Sequence, residues 1–267
     1  MSEPRARWIR LTTPFRAVSP ATVITAGVAV WVIVMGAWLA ITSGGVVSSM
    51  FLPSPQAVAS AAVRLAADGT LFRHIGASLQ VVLLGFVISS VLAVPVGLVM
   101  GSYAPVQVML EPLVNFIRYL PVTSFVPLLI LWIGIGIEQR VMVIFLGTFF
   151  QQIVMIADSA RMVPRDLVNA SYTLGTKRRE VVWHIIFPSA LPVILDTLRV
   201  TLGWAWSYVV VAEMVAASSG LGYITIKAMR GFQVDVIFLA VACIGLLGLA
   251  SDLIFRALRK GLAPWST

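Results

Sequence analysis

The chain has 267 residues, of which 59% are hydrophobic and only 11% charged, with a mean hydropathy of +0.97. Soluble domains carry roughly 25% charged residues, so a water-soluble body of this size could not hide so much apolar surface, and disorder, which needs few apolar residues, is excluded as well. The net charge of +8 comes from basic residues clustered between apolar runs, a pattern of loops held against an anionic leaflet and not of a nucleic-acid stripe.

What remains is a polytopic helical membrane protein. Residues 1–20 form an arm with four arginines and three prolines, read as a cytoplasmic segment that rests on lipid. Thr22–Thr42 is the first apolar stretch long enough to cross a bilayer, which takes about 20 residues. It is too long for a signal-peptide core and no small-residue cleavage site closes it, so it reads as a retained helix. Phe51-Leu52-Pro53-Ser54-Pro55 breaks the pattern. Gln56–Ala67 follows as a short helix on the membrane surface, ended by Asp68-Gly69.

Gly76–Gly101 is the second span, with Gly85 and Gly97 as close-packing points. The third region is interrupted. Val106–Leu120 carries Glu111, Asn115 and Arg118, Pro121 follows, and Val122–Ile137 continues with Pro127 to Gly134-Ile135-Gly136. A broken helix is expected, tolerated at membrane depth where protein or a water-filled cavity covers the backbone. Val141–Ala157 is the fourth span, Leu191–Ala216 the fifth and Val236–Phe255 the sixth, before a basic tail. The transmembrane body then covers residues 21–260 and a short tail 261–267. With the N-terminus inside, twelve Lys and Arg fall in inner segments against five outside (Arg64, Arg73, Arg140, Lys227, Arg230), which places both termini in the cytoplasm.

The polar residues within spans are the next question, because an ionisable group in lipid is a functional hypothesis by default. Asp196 and Arg199 are three apart and can meet directly, a structural pair. Glu111 and Arg118 share a helical face. Arg118 lies just ahead of the Pro121 break and could face a pathway, where a guanidinium suits an anion. Glu213 is read as bonding the turn at Ser218-Ser219. Trp204, Trp206 and Tyr208 alternate and cannot share one face. Gln151 and Gln152 lie mid-span, and one of them should face a cavity or an interface. The candidate path residues are Arg118, Gln152, Trp204, Tyr208 and Glu213. No catalytic set and no metal-ligand spacing is present: His74 and His184 are far apart, and Cys243 is alone.

The most informative segment lies between spans four and five, at residues 165–188. It reads as an amphipathic helix, a glycine, a basic turn Lys177-Arg178-Arg179, and a second amphipathic helix stopped by Pro188. Such a helical hairpin suits a lever inserted into a groove on another protein. It resembles the coupling motif of ABC-importer permeases, Glu-Ala-Ala, three residues, Gly, nine residues, Ile, one residue, Leu-Pro. Here the pattern falls on Asn169-Ala170-Ser171, Gly175, Ile185 and Phe187-Pro188, with matching spacing and departures at Asn169, Ser171 and Phe187.

The wider chain is similar to the nitrate, sulfonate, taurine and bicarbonate branch of that superfamily, through Leu52-Pro53-Ser54-Pro55, the Arg118–Gly136 stretch and Ala212-Glu213-Met214 leading to Ser219-Gly220-Leu221-Gly222. The resemblance implies an all-α, six-span, MetI-like inner-membrane permease that passes a small anion. It implies a second permease copy, two ATPase subunits and a periplasmic or lipid-anchored solute-binding protein. ATP and Mg would sit on the ATPase, since this chain has no phosphate loop. Asn169, Ala170, Ser171, Gly175, Lys177, Arg178, Ile185 and Pro188 would carry the coupling. The competing classes are an ion-driven secondary transporter, for which intramembrane carboxylates and inverted repeats would speak, and a membrane scaffold without transport.

Overall fold

A computed structural model describes residues 19–45 and 47–266. The arm expected over residues 1–20 falls almost wholly outside them. All regular structure among the described residues is helical. The chain divides into two units, residues 1–57 and residues 58–267.

In the first unit, α1 (Pro20–Ser43) opens on Ser19, whose Oγ accepts the Thr22 N–H at 3.2 Å, with proline in the first turn. Proline is suited to that position because its missing N–H would have no partner there. Trp38 donates its indole N–H to the Pro53 carbonyl at 3.0 Å. This holds the Pro53-Ser54-Pro55 return that leads into α2 (Pro55–Ala67), which runs on into the second unit.

The second unit is built on α3 (Thr70–Ser102) lying along α6 (Ile137–Arg161). Three glycines allow the approach. A Cβ on Gly85 would fall 2.6 Å from the Ile144 Cβ, one on Gly97 2.8 Å from the Ile153 carbonyl oxygen, and one on Gly101 2.4 Å from the Ala157 carbonyl oxygen. Without aqueous solvent between them, helices in lipid gain their contact from such close packing. A polar layer crosses the middle of the unit. The Gln152 amide accepts from Ser89 Oγ at 2.8 Å and donates to Thr201 Oγ1 at 3.1 Å, and Thr148 Oγ1 bonds Ser89 Oγ at 2.9 Å. In a low-dielectric interior a satisfied network of this kind fixes register.

α3 begins at Thr70, six residues before the expected start, because Gly69 takes a left-handed φ of 73° and turns the chain into the helix. The third region is broken as expected: α4 (Ala104–Arg118) ends before Pro121, a 3₁₀ turn covers Val122–Phe125, and α5 (Val126–Ile133) leaves at 83° to α4. Among the described residues five helices are long and apolar enough to cross a membrane, six if this bent pair counts as one span.

Three sequence expectations need correction. Pro188 does not stop a helix. After α7 (Arg165–Thr173) and the four-residue α8 (Arg178–Val181), one turn of π-helix over Val182–Ile186 leads directly into α9 (Phe187–Ala216). The Phe187 N–H reaches back to the Val182 carbonyl, and this wider turn admits a proline with no N–H to give. Second, α10 (Leu221–Arg230) begins within the turn read at Ser218–Gly222 and occupies a stretch before the sixth span to which no element was assigned. Its Leu221, Ile224 and Ala228 bury against Ala61 of α2 and Val236 of α11 (Val234–Leu262). Third, Asp196 and Arg199 do not pair with each other. Arg199 pairs with Asp252, and Asp196 takes Arg259 at 2.7 Å, so both charges of α9 are met from α11.

Candidate functional site

The hairpin after α6 is held by backbone geometry at one residue. Gly175 has φ +89°, a left-handed value that costs a residue with a Cβ about 1–2 kcal/mol. Its N–H bonds the Tyr172 carbonyl at 3.0 Å, and the Thr176 N–H bonds the Ser171 carbonyl at 3.0 Å. These are the two bonds of a Schellman motif, which satisfies the last carbonyls of α7 and reverses the chain. The second limb then starts on Lys177, whose N–H donates to Glu180 Oε2 at 3.4 Å.

The two limbs differ in burial. Val181, Val182 and Ile186 are buried in the cluster that holds Leu98, Val114, Ile156 and Ala160. Ser171 is also buried, its Oγ donating to the Val168 carbonyl at 2.7 Å. Ile185 and Pro188 are half-buried, whereas Asn169, Ala170, Gly175, Lys177 and Arg178 are exposed. At the tip Leu174 is 87% exposed, and Leu167, Tyr172 and Trp183 along the two limbs are exposed as well. An exposed leucine at the tip followed by the exposed basic run Lys177-Arg178-Arg179 is a surface suited to seating in a groove on a partner. α8, the π turn and α9 follow one another without a break.

A cavity of about 350 Å³ lies where α9 meets the α4–α5 break. Arg118, Tyr119 and Thr123 line it from the break, Phe150 and Gln151 from α6, and Trp204 and Tyr208 from α9. Trp204 and Tyr208 are one turn apart and share a face. Gly147 makes room for the Tyr208 ring: a Cβ there would fall 2.5 Å from Tyr208 Cδ2. Arg118 is half-buried. It donates through Nε to Asn115 Oδ1 at 2.8 Å and through Nη2 to the Tyr119 hydroxyl at 2.8 Å. No carboxylate lines the cavity among the described residues. Glu111 is turned elsewhere, accepting from Gln107 at 2.6 Å and facing Arg161 at 3.5 Å. Among the described residues the cavity therefore presents a cation with no carboxylate in its lining, an arrangement that attracts an anion.

Gln152 and Glu213 do not line this cavity. Gln152 belongs to the buried polar layer, and its neighbour Gln151 faces the cavity in its place. Glu213 is 1% exposed. It accepts from Ser78 Oγ at 2.8 Å and from the Gly222 N–H at 2.8 Å, and not from the turn at Ser218-Ser219. Ser78 in turn accepts the Leu221 N–H at 2.8 Å, His74 Nδ1 accepts the Gly220 N–H at 3.0 Å, and Arg140 donates to the Ser219 carbonyl at 3.3 Å. Together they clamp the loop ahead of α10, at the end of the bundle away from the hairpin. Trp206 faces a third direction, donating to Ser251 Oγ at 3.1 Å.

Tyr119 and Thr123 were not anticipated in the cavity, although their position on either side of Pro121 was a signal. No signal in the linear sequence ties Ser78 to Glu213. No group of three or more His, Cys, Asp or Glu that could hold a metal occurs among the described residues.

Residues 93–264 match the family model described as "Binding-protein-dependent transport system inner membrane component". The "Probable ABC transporter permease protein BMEII0107" of Brucella melitensis is 38% identical over 86% of this chain and 93% of its own length. The taurine transport system permease protein TauC of Escherichia coli K12 is 31% identical over 91% of this chain and 90% of its own. Among solved structures, an inward-facing form of the MetNI methionine ABC transporter superposes with a TM-score of 0.61 at 21% identity, covering 70% of this chain and 95% of that one. The last likeness is one of fold.

Proposed function

The chain belongs to the family of binding-protein-dependent transport system inner membrane components; it is a multi-pass permease subunit of an ATP-binding-cassette importer, and we propose that it forms the path for a small sulfonate anion of the taurine type. The observation that carries the substrate class is the Arg118 cavity, with its cation and no facing carboxylate. A guanidinium can meet two oxygens of a sulfonate at once. The similarity to TauC supports the same choice.

The working unit pairs two copies of the permease with two ATPase subunits and a solute-binding protein on the outer face. ATP and Mg are held by the ATPase chains. Both termini lie in the cytoplasm, following the bias of basic residues. The hairpin over residues 165–188 docks on an ATPase subunit through Leu174 and the exposed residues around it, Asn169, Ala170, Lys177 and Arg178 among them. Nucleotide binding draws the ATPase subunits together and moves the tip. The continuous rod from Arg178 carries that motion to Trp204 and Tyr208, roughly 40 Å along the helix at 1.5 Å per residue. Nucleotide thus biases two arrangements of the path through differential contacts.

The test is reconstitution of the chain with its partner ATPase and solute-binding protein. Taurine uptake into proteoliposomes should require ATP and the binding protein. Uptake driven by an ion gradient without ATP would overturn the reading.

A further inference from the structure

Gln139 is fully buried in the first turns of α6. Its Oε1 and Nε2 are the only fully buried side-chain polar atoms left without a hydrogen-bond partner among the described residues. A buried amide normally finds partners, so this one needs an explanation.

The register of α6 gives its position. At 3.6 residues per turn Gln139, Val143, Leu146 and Phe150 lie on one stripe. Leu146 and Phe150 line the Arg118 cavity. Val143 is buried in an apolar layer with Val126, Leu129 and Ala212. α9 gives the same order: Tyr208 lines the cavity, and Ala212 stands one turn further from the hairpin. Gln139 therefore stands about 10 Å beyond the cavity, seven residues up the helix from Leu146, with the apolar layer between.

We propose that Val126, Leu129, Val143 and Ala212 form the closed gate at the hairpin-distal end of the path. Gln139 is the first polar group on its far side, and its amide N–H donates to the oxyanion of the solute when the gate parts. The choice of residue fits both states. A neutral amide can be shut inside an apolar layer at far lower cost than a charge. Left unpaired there, it favours the open arrangement, in which solute supplies the missing acceptor. This inference rests on the permease reading above.

The test uses the reconstituted transporter with ATPase and binding protein in nanodiscs, in a Cys243→Ala background. Gln139→Cys should react with a polar maleimide at least tenfold faster in the vanadate-trapped state than without nucleotide. Tyr208→Cys, in the cavity, should also change its rate between the two states. If Tyr208→Cys responds and Gln139→Cys does not, the gate inference falls alone. If neither responds, the path reading falls with it. Adding Val143→Ala thins the gate and should raise the nucleotide-free rate at Gln139→Cys; no rise counts against the gate. Taurine should slow the accelerated reaction. Protection of Tyr208→Cys without protection of Gln139→Cys overturns the solute contact, and protection at neither overturns the sulfonate reading together with it.

Discussion

Arg199 of α9 pairs with Asp252 of α11, 53 positions along the chain, and leaves Asp196, three positions away on its own helix, to Arg259. Two crossed ion pairs thus tie the last long helix to the one that continues from the hairpin. Charge in or near lipid demands a counter-charge, and α11 supplies one for each.

Separate partners make a testable difference. Arg199→Ala and Asp252→Ala should each lower the thermal midpoint by a few degrees, and the double variant should cost less than the sum. Arg199→Ala and Asp196→Ala should instead combine much closer to additively, since neither is the other's ion-pair partner. Thermal unfolding in detergent of the three single and two double variants checks both statements. Coupling between Arg199 and Asp196 would contradict the pairing.

At Gly175 a side chain would meet nothing within 4 Å, so a substitution there acts through the backbone alone. Gly175→Val should strain the left-handed turn by about 1–2 kcal/mol or more, misplace Leu174, and lower ATP-dependent uptake by about tenfold, the rate equivalent of 1.4 kcal/mol. Gly175→Asn should retain most activity, since Asn tolerates this region. Co-purification with the ATPase should survive in both. Equal uptake by the wild type and the Val variant would refute the role given to the turn.

Glu213→Ala should leave Ser78 Oγ and the Gly222 N–H without their buried acceptor, at about 1–3 kcal/mol for each group. Glu213→Gln keeps one acceptor oxygen and should lose less. The readout is thermal stability together with the rate of proteolysis at Ala217–Ser219, which should rise as the clamp loosens. Gly220→Ala should behave like the Ala variant, because its Cβ would fall 2.2 Å from the Glu213 carboxyl carbon at a φ of +126°.

Arg118→Gln should raise the KM for taurine by about ten- to a hundredfold, the equivalent of the 1.5–3 kcal/mol of a charge-assisted hydrogen bond. Arg118→Lys should recover part of the loss, since the charge remains and the fork does not. Glu111→Gln should leave KM unchanged, because Glu111 faces Arg161. Transport kinetics in proteoliposomes separate these cases, and an unaltered KM in Arg118→Gln would remove this residue from the path.

Much of this was legible along the chain. Apolar runs of membrane length, Gly85 and Gly97 on the second of them, and prolines around residue 121 fixed the spans, their close-packing points and the break, because each depends on local composition and local backbone chemistry. The Gly175 reversal was legible for the same reason: six adjacent residues form it. Pro188 misled, because a π turn over Val182–Ile186 precedes it and the helix runs through it into α9, as α3 runs through Pro95.

The sequence by itself determined a helical membrane protein with a glycine-turned hairpin, because hydropathy and turn chemistry are properties of neighbouring residues. Only the tertiary structure decided which polar group meets which. Gln151 reaches the cavity and Gln152 the buried layer because adjacent residues on a helix point about 100° apart. Glu213 turns to Ser78 across 135 positions. A buried polar side chain takes whichever partner three-dimensional packing places within about 3 Å, and that distance is set by helices far apart in the chain.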